Sequence, residues 1–372
     1  MGGRAMLVYG DSFMDYRHSD DHPLQPVRVR LAFELMVALG LTEGATVAPP
    51  RPAGDEELRR VHSPGYVELV RRLSDPREAA GIPLEAQRRA GFGPGDNPIF
   101  EGMHQSCAVI AGAGLVGVEA IGGGEVAHAF NPAGGLHHAM RSRAAGFCVY
   151  NDAAVAVAAL RARGHRVAYV DLDVHHGDGT QALFWSDPEV LTVSLHETGR
   201  RLFPGTGFPG EVGKGRARGT AANLPYEPGA WDEPWLAGFE AVVPPLLRRF
   251  RPSVLVTQDG CDTHLLDPLA HLRCSTRIWP AVGGRLHELA HELCGGRWLA
   301  LGGGGYAVRE VVPRAWALLF SEMVERPAAA ERLLDPEPFP PDPRTQAAVW
   351  SGLERDLGEL AAAIGAPLHL PG

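Results

Sequence analysis

The sequence predicts an α/β fold, a mainly parallel sheet with helices on both faces. Three observations lead there: short valine-rich apolar runs recur along the chain, stretches of helical length separate them, and each run ends in glycine or a polar turn. The runs, read as strands, are Met6–Tyr9, Glu125–Phe130, Arg166–Leu172, Val190–Leu195, Ser253–Thr257 and Trp298–Leu301. An apolar run flanked by glycine suits a strand buried on both faces.

The helices expected between them are Val27–Leu39, Pro64–Leu73 behind a Ser63 cap, Asp152–Arg163 behind Asn151, Glu233–Arg249, Ile278–Leu293 and Glu310–Met323. Cys107–Val118, interrupted by Gly112 and Gly114, reads as a buried helix too short for a bilayer. Asp75–Met103, rich in proline, glycine and charge, reads as a surface excursion near the site. Residues 325–344 read as a proline-rich connector, followed by a last amphipathic helix at about 346–364. No repeat and no clean boundary divides the 372 residues.

Composition narrows the function. A formal charge of −9 and the absence of a lysine or arginine run give no footprint for phosphate backbones, so direct nucleic-acid binding is not expected. Nor is membrane association. Met1–Arg4 runs directly into Leu7-Val8-Tyr9 without a secretory leader, which predicts a cytoplasmic protein. Five widely spaced cysteines without a CxxC pair predict buried thiols.

The most informative segment is Val170-Asp171-Leu172-Asp173-Val174-His175-His176-Gly177-Asp178-Gly179. An extended chain sends alternate side chains one way, so Asp171, Asp173 and His175 should converge at a strand's carboxyl end, where ligands of open α/β sheets bind. Gly177 and Gly179 would permit a reversal that returns Asp178 to the same pocket. One such aspartate is usually a cap, but burying three carboxylates and two histidines without a cation would cost several kcal/mol each, on the order of magnitude known for unpaired buried charges.

Asp262, in Gln258-Asp259-Gly260-Cys261-Asp262 after another run, can complete a three-ligand site with an open position, as catalytic sites keep. The donor set suits Zn²⁺, with Fe²⁺ or Mn²⁺ also acceptable. Gly134-Gly135-Leu136-His137-His138 offers tandem imidazoles of the kind that move protons, with Asp171 and Asp178 available to fix their tautomers. Gly302-Gly303-Gly304-Gly305-Tyr306 lacks the signature of a phosphate loop and reads as a flexible run carrying a phenol toward an oxyanion.

A competing motif is His287-Glu288-Leu289-Ala290-His291, which fits the H-E-x-x-H pattern of zinc proteases, with Glu310 as a conceivable third ligand. It falls inside an amphipathic helix of a parallel α/β chain, so its histidines are expected on a solvated face. A two-metal ureohydrolase would need more ligands between the aspartate segments, and a non-catalytic binding module would not need the catalytic set.

With these pieces in place the chain resembles the histone deacetylase superfamily, and more narrowly its bacterial acetoin-utilisation branch. The likeness runs through Asp21-His22-Pro23-Leu24-Gln25-Pro26-Val27-Arg28, Gly95-Asp96-Asn97-Pro98-Ile99-Phe100, Gly146-Phe147-Cys148-Val149-Tyr150-Asn151-Asp152, Val193-Ser194-Leu195-His196 and Phe203-Pro204-Gly205-Thr206-Gly207. It implies one deacetylase domain over residues 1–372, with metal held by Asp173, His175 and Asp262. By the same resemblance His138 backed by Asp178 is the general base and acid, His137 backed by Asp171 gives electrostatic support, and Tyr306 polarises the scissile carbonyl. Tyr306 is not the histidine of the family's poorly active branch.

The resemblance further implies a tunnel walled by Phe147 and Phe203 with the Gly146 carbonyl, Asp96 gripping the substrate backbone at the rim, and Arg28 near the acetate exit. It implies a structural K⁺ or Na⁺ held by Asp171, Asp173, His175, Ser194 and the Leu195 carbonyl. The substrate it implies is N-ε-acetyl-lysine in a protein, acetyl-CoA synthetase being one such partner. The alternative is an acetylpolyamine or other small acetylated amine, for which Asp15, Asp20, Asp21, Asp96 and Glu101 would form an acidic rim.

Overall fold

Among the described residues eight strands form one parallel sheet: β1 (Ala5–Val8), β2 (Thr46–Ala48), β3 (His128–Asn131), β4 (Val167–Asp171), β5 (Val190–Glu197), β6 (Ala221–Tyr226), β7 (Val254–Gln258) and β8 (Trp298–Leu301), in the order β2-β1-β3-β8-β7-β4-β5-β6. The computed structural model describes residues 5–371; Met1–Arg4, part of the stretch read above for a leader, lie outside them. Every residue of β1 and of β3 through β8 is buried, so the sheet is covered on both faces, as the apolar runs predict.

The two strands that the runs do not predict, β2 and β6, are the sheet's edges. Thr46–Ala48 is three residues long and largely exposed. Ala221–Tyr226 contains Pro225, which lacks an N–H and is tolerated at an edge. The expected helices form with shifts of a few residues: Val27–Ala38, Pro64–Leu73, Asp152–Ala162, Asp232–Phe250, Ile278–Cys294, Val312–Met323 and Pro343–Ile364. Ser63 and Asn151 accept backbone N–H bonds from Tyr66 and Ala154, as caps do.

One expectation is corrected by the helix around Cys107. It runs from Met103 to Gly122, 20 residues, long and apolar enough to cross a membrane, but 72% of its apolar window is packed inside the protein. Gly112 does not break it. A Cβ there would collide with the Arg51 carbonyl, and Ala53 donates its N–H to the Ala108 carbonyl at 2.8 Å, so glycine lets a neighbouring strand of backbone lie against the helix.

Segment 325–344 is also more than a connector. It forms two 3-10 turns, Pro327–Ala329 and Glu331–Leu333, and buries Asp335, which accepts from Thr276 N at 2.8 Å and Arg314 Nη2 at 2.6 Å. The excursion Asp75–Met103 likewise holds short helices, Pro76–Ala79 and Leu84–Arg89.

Register explains where the chemistry gathers. Asn131 pairs with Leu301, Leu301 with Gln258, Gln258 with Asp171, and Asp171 with Ser194. The carboxyl ends of four adjacent strands, β3, β8, β7 and β4, therefore finish level while β5 runs on to Glu197, and the loops beyond them share one edge of the sheet.

Candidate active site

Four of those loops supply the residues singled out in the sequence: Gly134–His138 after β3, Asp173–Asp178 after β4, Asp259–Asp262 after β7 and Gly302–Tyr306 after β8. The β4 strand stops at Asp171, so convergence does not come from extended alternation as expected. Instead the chain bends, Asp171 Oδ1 accepting from Asp173 N at 3.2 Å and Asp173 Oδ1 from His175 N at 3.0 Å. All of Asp171, Asp173, His175 and Asp262 are buried.

Asp173, His175 and Asp262 each aim a ligand atom at one point, the three atoms lying within 4.8 Å of one another. His175 Nδ1 is 3.1 Å from Asp173 Oδ1 and 3.2 Å from Asp262 Oδ2. The outer lone pairs are taken: Asp173 Oδ2 accepts from Gln258 Nε2 and Gly304 N, both at 2.7 Å, and Asp262 Oδ1 from Val174 N at 2.9 Å. Burial and the Asp173 carboxylate beside it push Asp262 up to about 7, and His175 stands at about 10, where its two aspartate partners outweigh burial. Two buried carboxylates and an imidazole competing for one proton fit a divalent cation at that point.

Beside them stand His137 and His138. His137 Nδ1 donates to Asp171 Oδ2 at 2.8 Å, and His138 Nδ1 donates to Asp178 Oδ1 at 2.7 Å. Burial opposes charge on both rings. At His137 the carboxylates of Asp171 and Asp173 overcome it and the ring stands at about 9; at His138 burial and the adjacent His137 charge prevail, leaving it at about 4. The balance favours charge on His137 over His138, and their Nε2 atoms lie 3.0 Å apart.

The glycines have a different role from the one expected. Gly177 has an ordinary φ of −72°, and a Cβ there would strike the Asp171 carboxylate. Gly302 through Gly305 are all buried rather than flexible: added Cβ atoms would meet the Pro132 carbonyl, Gln258, the Asp262 carboxylate and Cys261 Sγ in turn. The run is glycine because carboxylates and backbone crowd it, and this fixes Tyr306 N on Asp267 Oδ2 at 2.7 Å. Burial and then the Asp262 and Asp173 charges hold the Tyr306 phenol well above its usual value, so it remains a donor.

A cavity reaches this centre, lined among others by Leu24, His138, Gly146, Gly304 and Tyr306. Phe147, at φ 68°, sets its ring edge-on to Tyr306 with centroids 5.7 Å apart, and Phe203, 44% exposed, does the same to His138 at 4.9 Å. The loop carrying Tyr16, His18 and His22 braces this wall: Tyr16 Oη and His18 Nε2 (3.2 Å) both bond to the Phe147 carbonyl, and the His22 ring lies 4.5 Å from that of Phe147.

The other expected residues are placed as follows. Asp96 is exposed, outside the residues lining the cavity, and its carbonyl contacts His22 Nε2 at 3.3 Å. Arg28 is buried behind the glycine run, donating to the Gly305 carbonyl at 2.9 Å with its guanidinium 5.3 Å from the Trp316 ring centre. Ser194 sits in register beside Asp171, with Leu195 next on β5, and Ser194 Oγ is 2.8 Å from His196 Nδ1.

Sequence reasoning passed over Gln258, Asp152 and Asp267. Gln258 Nε2 ties Asp173 to the Gly135 carbonyl, and Asp152 accepts from Gly135 N (2.9 Å) and Leu136 N (2.7 Å), shaping the turn before the histidines. Asp152 and Gln258 sat inside quoted motifs, but nothing in a one-dimensional pattern showed what they would hold.

This arrangement is that of a known class. The chain matches the histone deacetylase domain over residues 22–323 and belongs to the histone deacetylase family. It is 39% identical to the acetoin utilization protein AcuC of Bacillus subtilis over 320 residues, which is 86% of this chain and 82% of that one. With AcuC of Staphylococcus aureus strain MSSA476 it shares 37% identity over 326 residues, 87% and 82% of the two chains. Its fold superposes on the crystal structure of an HDAC homolog from Aquifex aeolicus with a TM-score of 0.81 at 28% identity, covering 95% of this chain and all of that one.

Proposed function

We propose that the protein is a metal-dependent deacetylase that hydrolyses N-ε-acetyl-lysine in proteins to lysine and acetate. The observation that carries the reading is the pair His137 and His138, each backed by a carboxylate, lining with Tyr306 a cavity that also reaches Asp173, beside which His175 and Asp262 stand. These last three would hold a divalent cation, Zn²⁺ by donor type with Fe²⁺ or Mn²⁺ compatible, and bound there it would polarise a carbonyl and acidify water.

The chain's own groups account for the remaining steps. Tyr306 donates its phenol hydrogen to the acetyl oxygen and stabilises negative charge as it develops. Neutral His138, oriented by Asp178, accepts the proton of the attacking water and returns it to the leaving amine. His137, held charged by Asp171, adds positive potential beside the reacting centre. Phe147 and Phe203 would flank the aliphatic stem of the substrate, with Asp96 at the rim and Arg28 toward the product side. Asp171, Asp173, His175, Ser194 and the Leu195 carbonyl would hold a structural K⁺ or Na⁺, and the protein would act in the cytoplasm on an acetylated metabolic enzyme.

A second substrate reading rests on the exposed Asp15, Asp20 and Asp21, which flank or belong to the loop bracing Phe147 and would favour a polycation such as an acetylpolyamine. Acetate release from an acetyl-lysine peptide and an acetylpolyamine, with metal-loaded and chelated enzyme, tests both. Chelator-sensitive release favouring the peptide supports the lysine reading, preference for the polyamine transfers the assignment to the small amine, and no release from either refutes both. Acetate release retained in His287→Ala and in His291→Ala would dispose of the protease motif.

A further inference from the structure

The histidines of the H-E-x-x-H motif do not simply lie on a solvated face. His287 and His291, one turn apart on Ile278–Cys294, project from the same side of that helix toward a third histidine far from it in sequence, His128, the buried first residue of β3. Because the active site lies beyond Asn131 at the other end of β3, this cluster occupies the opposite edge of the sheet.

Its geometry is that of a ligand set. His128 Nε2 lies 3.0 Å from His287 Nε2 and 3.3 Å from His291 Nε2, and the three nitrogens all fall within 4.8 Å of one another. Imidazole nitrogens bound tetrahedrally at the usual Zn–N length stand about 3.3 Å apart. The ring planes are steeply inclined to one another, with centroids separated by 4.7, 5.2 and 4.7 Å. Gly296, at φ 84°, leaves room for the His291 ring, which a Cβ would approach to 3.0 Å.

A fourth donor stands nearby. Glu325, at φ 57° just past the helix Val312–Met323, brings Oε1 to 4.0 Å from His287 Nε2. The glutamate of the motif is turned away: Glu288 pairs with Arg285 Nη1 at 2.8 Å, and Glu310 is not among the converging groups. The cluster thus has ligands without a general base.

We propose that His128, His287 and His291 bind a second divalent cation of the zinc class, with Glu325 or water in the fourth position, pinning the helix Ile278–Cys294 to the start of β3. The site is structural, and it does not depend on the deacetylase reading.

The test is metal stoichiometry on the full chain, stripped with chelator, dialysed against Zn²⁺ and analysed for bound zinc. Wild type should hold about two equivalents, Asp262→Asn and His287→Gln about one each, and the double variant none. Cobalt-loaded Asp262→Asn should show the visible absorption of a tetrahedral site, lost on adding His291→Gln, an exposed substitution that leaves the metal-free melting temperature unchanged. Equal zinc content in wild type and His287→Gln, or an Asp262→Asn protein that binds none, would overturn the proposal.

Discussion

At the residue scale, Tyr306 and His138 separate chemistry from folding. Among the described residues no protein group bonds to the Tyr306 phenol oxygen, whereas its backbone N–H is anchored on Asp267. Tyr306→Phe should therefore leave the melting temperature unchanged and lower kcat on the order of 10²–10³, the loss seen when one oxyanion donor is removed. Near wild-type turnover would take Tyr306 out of the mechanism. His138→Ala removes the proton carrier and should cost on the order of 10²–10⁴ in kcat, while Asp178→Asn disturbs only its tautomer and basicity and should cost about 10–100-fold. If Asp178→Asn were the more damaging, the carboxylate would be doing more than orienting the ring. These residues were legible in the sequence because ionisable groups at such density are rare. Gln258 and Asp152 were not, since what they do depends on Gly135, which is near one of them only in space.

At the element scale, the six apolar runs yielded the interior of the sheet and missed both edges, because edge strands need not be apolar and β6 carries a proline. The glycine run was seen but misread: four glycines suggest mobility, and only the packing shows that Gly304 faces the Asp262 and Asp173 carboxylates. Gly304→Ala consequently should displace those carboxylates and lower metal affinity by at least about 10–100-fold, the range for disturbed support of a ligand. Titration of the stripped protein with zinc in the His287→Gln background measures this at the buried site alone, and unchanged affinity would restore the mobile-loop reading. Similarly, His287 and His291 gave a periodic helix pattern that fitted a surface face, and His128, more than a hundred residues earlier, had no sequence signal connecting it to them.

At the scale of the whole molecule, metal and proton compete for the buried centre, and the competition sets how stability depends on pH. In the chelated chain Asp262 at about 7, His137 at about 9 and His175 at about 10 are all raised above their unfolded values. A raised group binds more protons folded than unfolded, so its stabilisation is complete below the unfolded pKa and is lost as pH rises through the folded one. Histidines held low, such as His138 at about 4, act in the opposite sense, but only below the unfolded histidine value of about 6.5. Between about pH 6.5 and 9 the raised groups act unopposed by these, and the chelated protein should melt at progressively lower temperature. Metal at Asp173, His175 and Asp262 replaces the competing protons, so zinc should raise the melting temperature most at the alkaline end and flatten the slope. Melting scans with chelator and with zinc across that window, in His287→Gln so that the histidine cluster does not contribute, provide the check. A chelated protein whose melting temperature held level or rose over this range would show that these three groups are not coupled to folding as their carboxylate neighbours require.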